Sequence, residues 1–218
     1  MTLWARATRR PGDLLQRRLT WQAASLLLAY PDAGHADRLT TAEMLIGHLD
    51  GEPGRLLAQT VAELSRRPGL LREQDYVETF DMQDSCTMLL TYWTAGDTRN
   101  RGLHMIEFTE AYRDAGVPIP EREAPDSLPV VLEFAATVDP ERGMGLLAKY
   151  CVSLDVLGQA LLRSRSAYAG AVRAVSATLP AADSGLSRRL LSAGPPAEAV
   201  GLEPFTLTVP PRRIREGV

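Results

Sequence analysis

Three residues near the middle of the chain, Ser85, Cys86 and His104, carry the side chains that could form a nucleophile and its base. Catalysis of that kind needs a nucleophile, a base and an orienting group in fixed geometry, and a nucleophilic serine usually sits in a tight turn marked by glycines. The spacing of these three residues does not support such a site, and the glycine pattern is absent from the sequence. We therefore predict no catalytic residues and no enzyme activity.

The sequence gives equally little support for a metal site or for acid-base catalysis by a pair of carboxylates. Asp81 and Asp84 are separated by one helical turn, and carboxylates at the end of a helix are explained by capping. The three histidines lack the spacing of metal ligands, and the two cysteines, Cys86 and Cys151, are far apart and form no CxxC pair. We expect no metal site, no cofactor and no disulfide framework, as in a reducing compartment.

A stretch with a different chemistry, from Asp75 to Gly102, is rich in aromatic residues. It contains Tyr76, Phe80, Tyr92 and Trp93 and ends in the polar turn GDTRNRG. Apolar surface beside acids and bases is what a peptide groove needs, because the floor supplies burial and the charged rim orients the guest. The alternative is that the aromatic residues form ordinary core and that the turn is a solvated helix cap.

This stretch resembles the signature of the NarJ-type nitrate reductase assembly chaperones, within the wider TorD-like group. Two blocks of residues carry the resemblance, and two blocks in this order are more specific than either alone. The first block comprises Tyr76, Phe80, Asp81, Leu89, Thr91, Tyr92, Gly96 to Arg99, Arg101 and Gly102, and the second comprises Pro125 to Pro129 with Leu132 to Phe134. One departure is Ser127, where the family often has histidine, so the role of that histidine is not carried over.

The resemblance implies a chaperone for the apo catalytic (alpha) subunit of a respiratory nitrate reductase. Such a chaperone binds the N-terminal, twin-arginine-like segment of that subunit and holds it in the cytoplasm until the molybdenum cofactor is inserted. Whether proteins that deliver the cofactor are further partners stays open. A basic amphipathic guest suits an apolar groove edged with carboxylates. The candidate floor residues are Tyr76, Phe80, Leu89, Tyr92 and Leu128. The candidate rim residues are Asp81, Asp97, Asp126 and Glu133.

The remaining residues of the two blocks are given structural roles. They are Gly96, Arg99, Arg101, Gly102 and Pro129. The two arginines are poor partners for a basic guest, so we expect them to pair with Asp97 or Asp126. The proline-rich stretch 118–129 predicts a loop that holds Asp126 in place. Because Asp126 lies outside every helical stripe, we expect Asp126→Asn to leave the fold intact.

Other classes of function fit the sequence less well. A helical scaffold or adaptor without chaperone activity would use the basic chain termini to contact nucleic acid or another protein. The net charge of −3 gives no global case for nucleic acid or an anionic membrane. No glycine-rich phosphate loop supports a nucleotide-binding factor.

The apolar run 23–30 is shorter than the ~20 residues of a membrane span, and no apolar region follows the arginine pair at 9–10 as an export signal requires. We expect a cytoplasmic monomer or weak dimer.

Helical periodicity runs through most of the chain. Apolar positions three and four apart predict helices over 13–29, 57–64, 73–81 and 130–137, with a further helix after the Asp139-Pro140 pair. Thr40 and Glu43 read as a capping box, and Asp84 with Ser85 as the cap of a helix through Trp93. The apolar stripe 147–179 is interrupted by polar residues at 163–166. This interruption predicts two helices, with one long helix as the alternative.

The absence of convincing two-residue alternation and of internal repeats predicts an all-α fold, a single-domain helical bundle. The resemblance makes that bundle TorD-like. Residues 1–12 are expected to form a basic N-terminal arm and residues 13–180 the helical domain. Residues 181–218 are proline-rich and are expected to form an extended or mobile tail, with residues 202–205 as a candidate docking patch.

Overall fold

Helices make up the protein, as seen in the computed structural model, which describes residues 11–96, 99–119, 121 and 123–196. These residues form eleven α-helices and no strand, which confirms the all-α class. The helices are α1 (Pro11–Leu28), α2 (His35–Ile46), α3 (Gly51–Ser65), α4 (Gly69–Phe80), α5 (Tyr92–Ala95), α6 (Arg99–Asp114), α7 (Leu128–Glu133), α8 (Pro140–Lys149), α9 (Cys151–Arg163), α10 (Ala169–Ser176) and α11 (Ser184–Ala193).

Helix α1 lies at the centre of the bundle and contacts α2, α3, α7 and α10. Its alanine and leucine residues alternate with polar ones so that Trp21, Ala24 and Leu28 are fully buried. The Trp21 indole donates a hydrogen bond to Thr178 Oγ1 at 2.9 Å, and Ser25 Oγ donates to the Pro129 carbonyl at 2.8 Å. Helix α1 therefore fixes both the segment after α10 and the start of α7.

Several boundaries lie where the sequence predicts them. Asp139 caps α8, because its Oδ1 accepts hydrogen bonds from the backbone amides of Glu141 and Arg142 at 3.1 and 3.0 Å, and Pro140 occupies the first turn. The stripe from residue 147 to 179 is divided after Arg163, so that α9 and α10 are separate helices. The predicted break at 163–166 is confirmed, but the stripe begins in α8, which ends at Lys149 and meets α9 at a bend of 67°.

Two capping predictions are wrong. Thr40 and Glu43 lie inside α2, which begins already at His35, and Thr40 Oγ1 donates to the Ala36 carbonyl within the helix at 3.1 Å. No helix runs from Asp84 to Trp93: a short 3₁₀ turn covers Asp84–Cys86, and the chain then becomes extended before α5. The extended backbone there is held by hydrogen bonds to a distant segment, which local periodicity cannot reveal.

The segment after Pro180 also differs from the extended conformation that we expected. Residues Ser184–Ala193 form α11, which packs against α9. Asp183 caps this helix by accepting hydrogen bonds from the amides of Gly185 and Leu186 at 2.8 and 3.1 Å. The candidate patch 202–205 and residues 1–10 of the basic arm lie outside the described residues.

Within the described part of the chain, no single helix has both the length and the apolar composition to cross a membrane. Helices α8 and α9, which meet at a bend of 67°, satisfy the criterion only when they are taken together.

A close approach between α7 and α8 depends on glycine. Helix α7 continues as a π-helical turn, Phe134–Val138, in which the Asp139 amide donates to the Phe134 carbonyl at 3.1 Å. A Cβ atom on Gly143 of α8 would lie 2.3 Å from Ala135 Cβ in this turn. Any larger residue at position 143 must therefore push the two helices apart.

We predict that Gly143→Ala lowers the free energy of unfolding by about 1–3 kcal/mol, because it overpacks a tight contact. Gly145→Ala, two residues further along α8, is the matched control, since a Cβ there meets nothing within 4 Å. It should be neutral or should stabilise the helix by up to about 1 kcal/mol. Urea denaturation of both variants measures the difference, and equal midpoints would contradict the close approach.

Candidate functional site

A groove of about 620 Å³ opens beside the ends of α1 and α4. Segments 84–92 and 123–127 complete its walls. The apolar and aromatic residues that line it are Tyr30, Tyr76, Phe80, Met88, Leu89 and Tyr92. The charged residues that line it are Asp81, Asp84, Arg101 and Glu123. The groove therefore brings together five of the binding residues predicted from the sequence: Tyr76, Phe80, Asp81, Leu89 and Tyr92.

An aromatic cluster forms the wall of the groove on the α4 side. The rings of Tyr76 and Phe80 lie 4.8 Å apart, and both pack against Tyr168, at 5.8 and 4.9 Å. Tyr76 and Phe80 are only 8% and 7% exposed, so a guest would touch only their edges. The Tyr76 hydroxyl donates to the Leu28 carbonyl at 3.1 Å, and burial raises the pKa of Tyr76, which keeps this donor protonated. The side chains of this wall are therefore held in place by the fold itself, without a bound peptide.

The two sequence blocks meet beneath the groove. The Leu90 amide donates to the Asp126 carbonyl at 3.0 Å, and the Leu128 amide donates to the Met88 carbonyl at 2.9 Å. Leu89 and Ser127 are thereby paired as an isolated antiparallel bridge. The residues that resemble a family signature in two distant parts of the sequence are thus one structural unit.

A buried carboxylate holds this unit together. Asp126 is fully buried, and its Oδ2 accepts hydrogen bonds from the backbone amide and the hydroxyl of Thr91 at 3.2 and 2.5 Å. Its Oδ1 lies 3.5 Å from Arg101 Nη2. Arg101 Nε also donates to Thr91 Oγ1 at 3.2 Å. The expected pair between Arg101 and Asp126 is present, but the expectation that Asp126 lies on the rim is wrong.

Two other predicted binding residues, Leu128 and Glu133, do not line the groove. Leu128 is fully buried at the start of α7 and faces the core. Glu133 is exposed on α7 and does not belong to the edge of this groove. Asp97 lies outside the described residues. Both residues were chosen from the second sequence block, of which only Ser127 lines the groove.

The residues that were given structural roles differ in how the fold uses them. Gly96 has φ +64°, a left-handed conformation that favours glycine, and it ends α5. Gly102 lies in α6, where a Cβ atom would meet nothing within 4 Å, so the structure gives no steric reason for glycine there. Pro129 lies in the first turn of α7 and is tied to α1 through its carbonyl. Arg99 is exposed at the start of α6.

The groove residues that sequence reasoning did not assign to binding are Tyr30, Asp84, Thr87, Met88, Arg101, Glu123 and Ser127. Tyr30 lies two residues beyond α1, is 43% exposed, and its carbonyl accepts a hydrogen bond from Arg38. Asp84 was explained as a cap, but its carboxylate caps no helix. Glu123 accepts a hydrogen bond from Ser127 Oγ at 3.2 Å. The available signal for Glu123 was its position just before the second block.

The residues considered for catalysis are separated by the fold. Cys86 is buried, and that burial raises the pKa of its thiol, which is the opposite of what activates a nucleophile. His104 Nδ1 lies 3.3 Å from the Tyr150 hydroxyl, and no hydrogen bond in the described part of the chain joins it to Ser85 or Cys86. In the same part of the chain, no three His, Cys, Asp or Glu side chains converge as a metal site.

The charges of the groove are unequal. Asp81, Asp84 and Glu123 are exposed at its edge, whereas the only base among the lining residues is Arg101, whose charge is offset by Asp126 below it. The groove therefore combines an apolar and aromatic floor with a surplus of negative charge. Such a surface suits an extended or helical segment that carries both apolar and basic side chains.

Known proteins resemble this chain in sequence. A model of the nitrate reductase delta subunit family matches residues 50–173. The nitrate reductase-like protein NarX of Mycobacterium tuberculosis is 50% identical over 160 residues, which are 73% of this chain and 24% of that protein. This chain therefore spans about a quarter of the NarX relatives. The probable nitrate reductase molybdenum cofactor assembly chaperone NarJ of Bacillus subtilis is 33% identical over 165 residues, 75% of this chain and 89% of that protein. NarJ of Escherichia coli, of the same description, is 29% identical over 148 residues, 66% of this chain and 63% of that protein.

We predict that Asp126→Asn lowers the free energy of unfolding by about 1–3 kcal/mol. The asparagine side chain cannot form the ion pair with Arg101, and its NH₂ group is a donor where the donors of Thr91 and Arg101 need an acceptor. This replaces the expectation that the substitution leaves the fold intact. Asp81→Asn is the control, since Asp81 is exposed on the groove edge and its loss should change stability by less than about 0.5 kcal/mol. Urea denaturation at neutral pH distinguishes them, and equal stability of the two variants would contradict the role of Asp126.

Proposed function

Because the chain belongs to the nitrate reductase delta subunit family, we propose that it is an assembly chaperone for a nitrate reductase. Its client is the apo catalytic subunit of a respiratory nitrate reductase, which it binds through the N-terminal, twin-arginine-like segment. It holds this subunit in the cytoplasm, competent for insertion of the molybdenum cofactor. The relatives named NarJ support the chaperone role, and the groove supports a peptide as the bound element.

The surplus of carboxylates around an apolar floor is the observation that carries the proposal. A basic amphipathic helix would place its apolar side chains over Tyr30, Met88 and Leu89, which are half-buried or exposed. Its arginine or lysine side chains would reach the carboxylates at the edge. Burial of the apolar side chains supplies most of the binding free energy, and the charges fix orientation and speed the encounter.

The proposed activity is binding and release, without a chemical step on this chain. The molybdenum cofactor is cargo for the client, and the groove lies on one protomer, so a complex of one chaperone with one client segment suffices. The direct test is calorimetric titration of the full chain with a peptide from the N-terminus of the nitrate reductase catalytic subunit of the same organism. A peptide whose basic residues are replaced by glutamine is the control. The proposal requires saturable binding of the native peptide and much weaker binding of the control.

We predict that the triple variant Asp81→Asn, Asp84→Asn, Glu123→Gln associates with the native peptide about tenfold more slowly at low salt than the unmodified chain. Its association rate should also depend less on ionic strength, because exposed charges act mainly through screened long-range attraction. Stopped-flow measurements across a salt series give both quantities.

Glu133→Gln is the matched control for the triple variant, because Glu133 is exposed but does not line the groove. Its association rate and salt slope should equal those of the unmodified chain. If the triple variant and the control have the same salt slope, the guest does not use this rim.

We predict that Tyr30→Ala weakens peptide binding by about 2 kcal/mol, since a partly exposed aromatic side chain on the floor is the typical anchor of an interface. Tyr30 is 43% exposed and packs edge-on against Tyr76 at 5.3 Å, so the folded state should lose about 1 kcal/mol, which a urea denaturation curve checks. Phe80→Ala is unsuitable as a first test, because removing a core ring costs about 3–5 kcal/mol of stability. Met44→Ala, which removes a 61% exposed side chain on α2, is the control. Unchanged affinity of Tyr30→Ala would remove this end of the groove from the binding surface.

A further inference from the structure

A second pocket, of about 200 Å³, lies beside a different face of α4 from the one that lines the groove. We name it the α4 pocket and define it by Arg67, Arg72, Asp75, Arg165, Ser166 and Tyr168, which are among its lining residues. Arg67 and Asp75 form an ion pair across it. The loop between α9 and α10 supplies the last three of these residues, so two distant parts of the chain meet in the pocket.

One hydrogen-bond donor of the α4 pocket is left without a partner in the described part of the chain. Arg72 and Arg165 make no ion pair within the described part of the chain, and Arg72 Nε is buried with no hydrogen-bond partner there. Burial raises the pKa of Tyr168 to about 12, so its hydroxyl stays protonated at neutral pH and can donate. An orphaned buried donor is costly unless a ligand or water satisfies it.

Arg165 has a backbone conformation that points to a use for its side chain. Its φ is +55°, and no other non-glycine residue in the described ranges has a positive φ. Arg165 ends α9, where the Ser166 amide donates to the Leu161 carbonyl at 2.9 Å and the Arg165 amide donates to the Leu162 carbonyl at 3.2 Å. A helix that ends in this way favours glycine at this position. Keeping arginine there has a conformational cost, and strain of this kind is typical of functional positions.

We infer that the α4 pocket binds one phosphoryl group, either as inorganic phosphate or as the terminal group of a phosphomonoester. Guanidinium groups match the oxygens of a phosphoryl group with two parallel hydrogen bonds. The ionised residues around the pocket are three arginines and two carboxylates, Asp75 and Glu78, so the sum is +3 − 2 = +1 before a ligand binds. Asp75 forms the ion pair with Arg67, although its Oδ2 is buried without a partner that meets hydrogen-bond geometry, and Glu78 is exposed.

The size of the pocket limits the ligand. A volume of 200 Å³ corresponds to about six waters at about 30 Å³ each. It accommodates a phosphoryl group with a small substituent and leaves any larger body outside the mouth. The site is separate from the peptide groove, although Tyr168 contributes to the pocket and packs against Tyr76 and Phe80 of the groove wall.

Calorimetric titration of the full chain with inorganic phosphate, at an ionic strength held constant with sodium chloride, tests the inference. We expect one saturable site per chain. Arg165→Gly and Arg72→Gln should each weaken phosphate binding about tenfold or more, as expected for the loss of charge-assisted hydrogen bonds. Arg163→Gln should bind within about twofold of the unmodified chain, because this exposed residue two positions before Arg165 does not line the pocket.

A thermal melt without phosphate keeps the test independent of folding. Arg165→Gly should melt at or above the temperature of the unmodified chain, because glycine relieves the positive φ, so its weaker binding cannot be attributed to unfolding. Glycerol 3-phosphate is the second probe: tighter binding than inorganic phosphate assigns the site to a phosphomonoester, and weaker binding assigns it to free phosphate. The inference is overturned if neither probe gives saturable binding, or if Arg163→Gln weakens binding as much as Arg165→Gly does.

Discussion

The buried carboxylate of Asp126 is the constraint on which the groove depends. A carboxylate away from water must be matched by donors and by an opposite charge, or it destabilises the fold. Here Thr91 supplies two donors and Arg101 supplies the charge. Because Thr91 lies two residues after the extended segment 87–89, satisfying Asp126 also fixes that segment against residues 125–128. Leu89 and Tyr92, which line the groove, are therefore placed by a polar interaction beneath them rather than by apolar packing alone.

The same interaction sets the electrostatic character of the surface above it. Arg101 lines the groove with its side chain 19% exposed, and without Asp126 it would repel a basic guest. The ion pair with Asp126 removes most of that repulsion. The charge that a guest meets then comes mainly from the three carboxylates at the edge of the groove, Asp81, Asp84 and Glu123. A groove that prefers basic segments can thus contain an arginine, because the balancing charge is inside the protein.

Much of the fold could be predicted from the sequence, because a helix that packs on one face has apolar residues that recur every three to four positions. The single domain of helices, the Asp139 cap and the break after Arg163 all follow from local patterns. The extended segment 87–89 and the burial of Asp126 depend on hydrogen bonds between residues 35 or more positions apart, so no local pattern contains them. Asp126 was therefore placed in solvent, where isolated carboxylates usually lie. In the groove, residues of α4 were predicted correctly as lining residues, whereas Tyr30 and Glu123 reach it only through the tertiary fold.

The break between α9 and α10 connects the two surfaces that we have described. A continuous helix from residue 151 to 176 would carry Tyr168 along a straight axis, about 1.5 Å for each residue. The turn at Arg165 instead folds Tyr168 back onto α4, where its ring contacts both Tyr76 and Phe80. The same turn leaves the Arg165 side chain beside Arg72 in the α4 pocket. A ligand that pairs with these arginines would brace the loop that carries Tyr168, and through Tyr168 it would brace the aromatic wall of the groove. The polar residues that interrupt the apolar stripe therefore have a structural consequence beyond ending a helix: they complete the wall of the groove and form the pocket behind it.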